Sequence, residues 1–232
     1  MTKLSKNLTI ISIVIFCILE TIIGLIIQLG DSAHRNVWCY ISVVMAFLFA
    51  LSTYRRDKTW LYTTLALMLT LVADYFLVLR VPQHQLLGVI AFVFVQLTYA
   101  IRLYYMQPAT QRKLHLILRS ALTILAIIIP ALVLGEGVDL LSVVSVIYYA
   151  NLLLNIVYAL VLRDWIYAIG MILFCGCDTV IGLRAIAGGY LPIDNSILLS
   201  IIYPGFDLVW AFYVPSQALI ALSLVKGRLK NS

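Results

Sequence analysis

Residues 60–80 read WLYTTLALMLTLVADYFLVLR, and residues 165–184 read WIYAIGMILFCGCDTVIGLR. Each stretch opens on Trp-x-Tyr, carries one aspartate near its middle (Asp74, Asp178) and reaches an arginine six positions later (Arg80, Arg184). Both are long and apolar enough to cross a bilayer, which takes ~20 residues as a helix. A carboxylate inside such a span is expensive and by default marks function. Two of them in repeated contexts point to a repeated architecture. The repeat links the third span to the seventh, and an even offset keeps orientation. That predicts two tandem four-span halves related by an axis along the membrane normal. Chance similarity of two apolar helices is the competing explanation. Trp60, Tyr62, Trp165 and Tyr167 are accounted for by an interfacial aromatic belt alone.

Around these stretches the whole chain is apolar. Of 232 residues, 63% are hydrophobic and 11% charged, and mean hydropathy is +1.05. Water-soluble domains carry about 25% charged residues, so the fold class is all-α, a polytopic transmembrane helical bundle. Breaks at charge clusters and Pro/Gly sites predict eight spans, at 7–29, 36–54, 60–80, 85–106, 114–134, 138–162, 165–187 and 206–225. The loops between them are too short for a second domain, so residues 1–232 form a single membrane domain.

The net charge of +6 does not indicate nucleic acid, because its distribution follows the spans. Thirteen of the sixteen Lys and Arg fall at one set of span ends, with Arg102, Arg112, Lys113 and Arg119 bracketing the fourth loop. Arg35, Arg80 and Arg184 fall at the other, with Asp31, Glu136, Asp139 and Asp194. The positive-inside rule then predicts cytoplasmic termini. Compact loops and the lack of sorting signals suggest a bacterial cytoplasmic membrane. The first span is too long for a signal-peptide core, carries Glu20 and Gln28, and has no small-x-small cleavage site. Cys17, Cys39, Cys175 and Cys177 lack disulfide or metal spacing and read as small core residues. His34, His84 and His115 are scattered near loops and make no ligand cluster, so no metal is expected. Asn7-Leu8-Thr9 matches a glycosylation acceptor but falls at a cytoplasmic end.

Depth follows from the helical rise. Asp74 and Asp178 lie fourteen and thirteen residues past their tryptophans, ~20 Å in. Glu20, thirteen past Asn7, reaches a similar ~20 Å. Tyr213, seven residues into the last span, is ~10 Å from the opposite end and meets the same layer. Gln96 and Gln217 are about one turn deeper, at ~16 Å. Phe92, Gln96 and Tyr99 share one helix face, as do Tyr213 and Gln217. Tyr148, Asn151, Asn155 and Tyr158 step by three, four and three, an unbroken polar stripe that must face the bundle interior. Interhelical hydrogen bonding accounts for such a stripe without catalysis, and for Asn151 and Asn155 it carries more weight. The aspartates are different. Arg80 and Arg184 sit ~9 Å outward and snorkel away from them. Two carboxyls sharing an apolar site do not both ionise, so the expectation is one protonated acid beside one carboxylate.

Four stretches resemble the YhhN family of eight-span, lysoplasmalogenase-like membrane proteins. Leu71-Val72-Ala73-Asp74-Tyr75-Phe76-Leu77 resembles its Gly-Asp segment, and Phe92-Val93-Phe94-Val95-Gln96-Leu97-Thr98-Tyr99 its Phe-x3-His-x2-Tyr segment. Leu173-Phe174-Cys175-Gly176-Cys177-Asp178 is similar to a Ser-Asp segment, and Tyr213-Val214-Pro215-Ser216-Gln217-Ala218-Leu219-Ile220 to a Tyr-x3-Gln-x-Leu-Ile segment. Gln96 replaces the family's histidine, Ala73 a glycine and Cys177 a serine. An amide does not titrate, so a proton shuttle at that histidine would be lost here.

The resemblance implies hydrolysis of the vinyl ether of a lysoplasmalogen, to a fatty aldehyde and glycerophospho-choline or -ethanolamine. Asp74 and Asp178 would be the acid/base pair, with Gln96, Tyr99, Tyr213, Gln217, Asn155, Asn151 and Glu20 orienting water and substrate. Water is the co-substrate, the lysophospholipid enters within the bilayer, and no cofactor is implied. The rival is a proton-coupled transporter or lipid-binding sensor using the same aspartates, which Pro215 inside the last span favours. A catalytically silent structural protein is the third reading. Oligomeric state is not encoded in any of these features.

Overall fold

Apolar segments that cross a bilayer must satisfy their own backbone hydrogen bonds, which confines them to helices here. The computed structural model describes residues 3–30, 32–80, 84–185, 187 and 196–230. Its helices are α1 (Lys3–Leu29), α2 (Ser32–Ser52), α3 (Lys58–Asp74), α4 (Gln85–Met106), α5 (Ala109–Leu134), α6 (Leu140–Val161), α7 (Trp165–Ala185), a short α8 (Ser196–Ile202) and α9 (Leu208–Lys230). Eight of them, all but α8, are long and apolar enough to span a membrane. No strand occurs among the described residues.

Local chemistry sets several boundaries. Asp57 caps α3 by accepting from the Trp60 amide at 2.8 Å, and Asp139 caps α6 by accepting from the Ser142 amide at 2.7 Å. The fifth span begins at Ala109 and not at residue 114, because Arg112 and Lys113 lie in its first turns. Long basic side chains reach the interface from inside a helix, so a charge cluster need not be a loop. Directly after Asp74, α3 widens into a π-helical turn, Tyr75–Leu79. α5 continues through Pro130 and α9 through Pro215.

Successive spans pack on one another: α1 on α2, α2 on α3, α3 on α4, then α5 on α6, α6 on α7 and α7 on α9. The two most extensive contacts, α3–α4 and α7–α9, hold corresponding places in the two halves, as the tandem pattern predicts. Across the halves, α9 packs on α1, α2 and α3, and α4 packs on α6. α5 rests chiefly on α6. Both extensive contacts depend on glycine. A Cβ at Gly88 would lie 2.4 Å from the Leu77 side chain in the π turn, and one at Gly170 3.1 Å from the Ser216 carbonyl oxygen on α9.

Phe16, Phe49, Leu67, Tyr99, Met171, Phe174 and Leu224 are buried in one core. Outward faces are apolar instead of polar. Ile11, Ile15, Ile18 and Ile22 on α1, with Ile117, Ile124 and Ile128 on α5, are all exposed, the faces a bilayer would cover. Charge gathers at the ends. At one end Arg55 pairs with Asp57 (2.7 Å) and Arg102 with Asp164 (2.6 Å). At the other, Asp207 faces Arg35 (3.6 Å) and Arg184 (3.8 Å), and its backbone is held on both sides by the Gln28 amide.

Two of the arginines that bracket the fourth loop do not reach the interface. Arg102 is 1% exposed on α4 and Arg119 8% exposed on α5, both turned into the bundle. Each has partners able to hold a buried guanidinium, and that is what overrides the outward preference of a charge. His115, expected near a loop, is likewise buried, on the same face of α5.

Candidate intramembrane acid site

Asp74 ends the regular part of α3 and is 3% exposed. It accepts a hydrogen bond at 2.6 Å from the Tyr213 hydroxyl on α9. Asp178, less deeply buried on α7, accepts one from the Tyr148 hydroxyl on α6. Two phenols from two further helices thus each hold one carboxyl, and the aspartates are near enough to act on one another electrostatically. A file of rings closes the site: Tyr213 is 5.4 Å from Phe174, Phe174 5.6 Å from Phe92, and Phe92 5.6 Å from Tyr148. Cys177, in the place of the serine noted above, is buried beside Asp178.

Among the described residues no cation pairs with either aspartate. Arg80 turns to the Tyr75 hydroxyl (3.0 Å), and Arg184 to the Ile202 carbonyl (2.9 Å) and Asp207, as their outward offset predicts. The π turn adds a local irregularity. The Tyr75 amide still bonds within the regular turn, to the Leu71 and Val72 carbonyls, so the widening begins directly after Asp74. Such turns recur at functional sites.

A second polar group lies one to two turns away along α6. The Arg119 guanidinium donates to Asn151 Oδ1 at 2.5 Å and to Asn155 Oδ1 at 2.8 Å. Asn155 passes the interaction on, its Nδ2 donating to both the backbone and the side-chain oxygen of Gln96 at 2.9 Å. Arg119 Nε also faces His115 Nε2 at 3.4 Å, and His115 Nδ1 meets the Gln107 amide at 2.7 Å. The stripe on α6 does face inward, and its partner is a buried arginine. One signal could have found it: Arg112, His115 and Arg119 step by three and four, the same inward-facing period as the stripe itself.

The remaining expected residues separate further. Gln217 is fully buried, with neither amide atom hydrogen-bonded to the protein. The Tyr99 hydroxyl faces Thr70; its ring packs edge-on against Tyr167 at 5.6 Å, and Tyr167 lies under the Arg102 guanidinium at 3.8 Å. Glu20 accepts from Ser42 at 2.6 Å between α1 and α2. The single polar layer expected from depth is therefore several distinct groups at similar depth. Among the described residues no three His, Cys, Asp or Glu side chains converge as metal ligands.

An eight-span helical bundle with a tyrosine-held pair of intramembrane carboxyls defines a multi-pass membrane protein with a buried acid site. The chain belongs to the YhhN family, whose model matches residues 34–224. That region holds both aspartates, both tyrosines and the Arg119 group; Glu20 lies outside it. No curated protein and no solved structure matches the chain.

Proposed function

We propose that the protein hydrolyses the vinyl ether of lysoplasmalogens by carboxylic acid/carboxylate catalysis at Asp74 and Asp178. The observation that carries this reading is the pair itself: two buried carboxyls, each held by a tyrosine from another helix, within electrostatic reach and without a cation. Vinyl ether hydrolysis needs a proton delivered to the β carbon, which creates an oxocarbenium ion. One aspartic acid supplies that proton. The other, as carboxylate, stabilises the cation and takes a proton from the water that adds to it. The hemiacetal then collapses, its hydroxyl proton passing to the glycerol oxygen, to give fatty aldehyde and glycerophospho-choline or -ethanolamine. This is the two-carboxylate logic of glycosidases, shared through the intermediate and not through the fold.

Tyr148 and Tyr213 fix which carboxyl oxygens face the reaction. Gln217, with no protein partner for its amide, is suited to hold the attacking water. Gln96 is engaged by Asn155, so its part is orientation without proton transfer. The test is aldehyde release from a lysoplasmalogen by detergent-purified protein, beside Asp74→Asn and Asp178→Asn. Each variant should lose roughly a hundredfold or more. Folded wild-type protein that releases no aldehyde from either head group ends this reading. Proton-coupled transport would then come forward, since Pro215 and the π turn after Asp74 put irregular backbone at site depth. Proton flux into vesicles holding the protein reads it directly.

A further inference from the structure

Among the described residues Arg119 has no carboxylate to balance it. It is 8% exposed, ten residues into α5, and none of the described ion pairs includes it. Its neighbours are neutral: the two asparagine oxygens, His115 Nε2 and the phenol of Tyr158. A guanidinium offers five N–H donors, and three contacts leave donors over. Beside it Gln96 is fully buried, with its carbonyl oxygen bound to Asn155 and its Nε2 without any partner. A buried cation without a counter-charge, next to unengaged amide donors, is costly unless something anionic completes it. Planar guanidinium and amide donors together suit a phosphate diester.

We infer that Arg119, with the free amide of Gln96, binds the phosphate of a lysophospholipid head group and so sets where the lipid's ether bond lies. The inference rests on the proposed lysoplasmalogen chemistry for its lipid and on the geometry for its site. Asn151 and Asn155 lie three and seven residues beyond Tyr148 on α6, which places Arg119 between ~4.5 and ~10.5 Å along the axis from the Tyr148–Asp178 contact. In a lysoplasmalogen five covalent bonds join phosphorus to the vinyl ether oxygen, an extended reach of roughly 6 Å. Along the bundle axis, a phosphate on Arg119 therefore puts the ether bond level with the Tyr148–Asp178 contact. The contacts to Asn151, Asn155 and His115 use one N–H on each of Nη1, Nη2 and Nε; they fix the guanidinium's orientation and leave one N–H on each Nη for the phosphate.

The test measures binding to wild-type protein in a phosphate-free maltoside detergent, using lipids that cannot be hydrolysed. An alkyl-ether lysophosphocholine should bind about tenfold or more tightly than the alkylglycerol of the same chain, which lacks only the phosphodiester head group. Arg119→Gln should abolish that difference while leaving alkylglycerol binding unchanged, and Arg119→Lys should restore part of it. Inorganic phosphate in millimolar amounts should compete weakly. If it binds as tightly as the lysolipid, the site takes free phosphate and the lipid assignment falls. Equal affinity of wild-type protein for lysolipid and alkylglycerol overturns the inference without any variant. Aldehyde release separates it from the proposed activity: Arg119→Gln with an unchanged KM would refute this site and leave the chemistry standing. Phosphate-dependent binding without turnover would do the reverse.

Discussion

Arg102 and Asp164 meet at 2.6 Å with side chains 1% and 9% exposed, and two further Arg102 nitrogens find no partner. Removing one member strands a buried charge, so Arg102→Met should cost about 3–5 kcal/mol, whereas Arg102→Met with Asp164→Leu should recover most of it. Thermal unfolding in detergent measures both; a double variant as unstable as the single would refute a charge-based account. The half-exposed Arg55–Asp57 pair is the internal control, and Arg55→Gln should shift stability by less than about 1 kcal/mol. At the acid site Tyr148→Phe and Tyr213→Phe keep the ring packing and lose the hydroxyl. Each should lower kcat by about tenfold with unfolding temperature unchanged, and full activity in both would mean that the phenols position nothing. Depth counting along continuous helices puts Tyr213 in the layer of Asp74, but it does not name the pair. Tyr148 meeting Asp178 is not legible either, since a stripe tells which way a helix faces and not what stands across from it. Arg119 was hidden by the ordinary preference of arginine for an interface, overridden here by Asn151 and Asn155.

Two glycines on one helix separate packing from propensity. Gly170 on α7 lies against α9, where an added Cβ would meet Ile220 Cγ1 at 3.0 Å and the Ile220 amide nitrogen at 3.1 Å, whereas one at Gly182 would meet nothing within 4 Å. Gly170→Ala should cost about 1–3 kcal/mol and Gly182→Ala should be neutral or stabilise slightly, both read as shifts in thermal unfolding. Equal effects would mean that the α7–α9 contact is looser than its geometry. Gly88 serves the other half: leucine there would push α4 off the π turn and carry Asp74 with it, so activity should fall along with stability. The eight spans were legible because length and hydropathy decide them. The π turn was not, because nothing in Tyr75-Phe76-Leu77-Val78-Leu79 distinguishes it from an ordinary apolar helix. The wider turn appears where Leu77 meets Gly88 on the neighbouring span, a tertiary cause.

For the molecule as a whole, the tandem pattern holds for the order of packing and breaks in two places. Asp74 takes its tyrosine from the last span and Asp178 takes its own from the sixth, so corresponding carboxyls have non-corresponding partners. α1 packs against α9, whereas α5 rests chiefly on α6 and carries the unbalanced arginine. The halves share an order of packing and differ in the partners of their carboxyls. Orientation is the property most exposed to the burial of Arg102 and Arg119. Without them, the thirteen basic residues at one set of span ends fall to eleven, against three at the other. Arg102 lies in the last turns of α4 and Arg119 about three turns into α5, and the bias survives without them. Cysteines placed singly at Arg56 and Arg163, in a variant lacking Cys17, Cys39, Cys175 and Cys177, should therefore react with an impermeant thiol reagent only from the cytoplasmic side. Cysteines at Gly137 and Gly205 should react only from the other. Reaction of Arg56→Cys and Gly137→Cys from the same side would contradict the eight-span alternation, whereas a complete inversion would keep the fold and overturn only the reading of its charge.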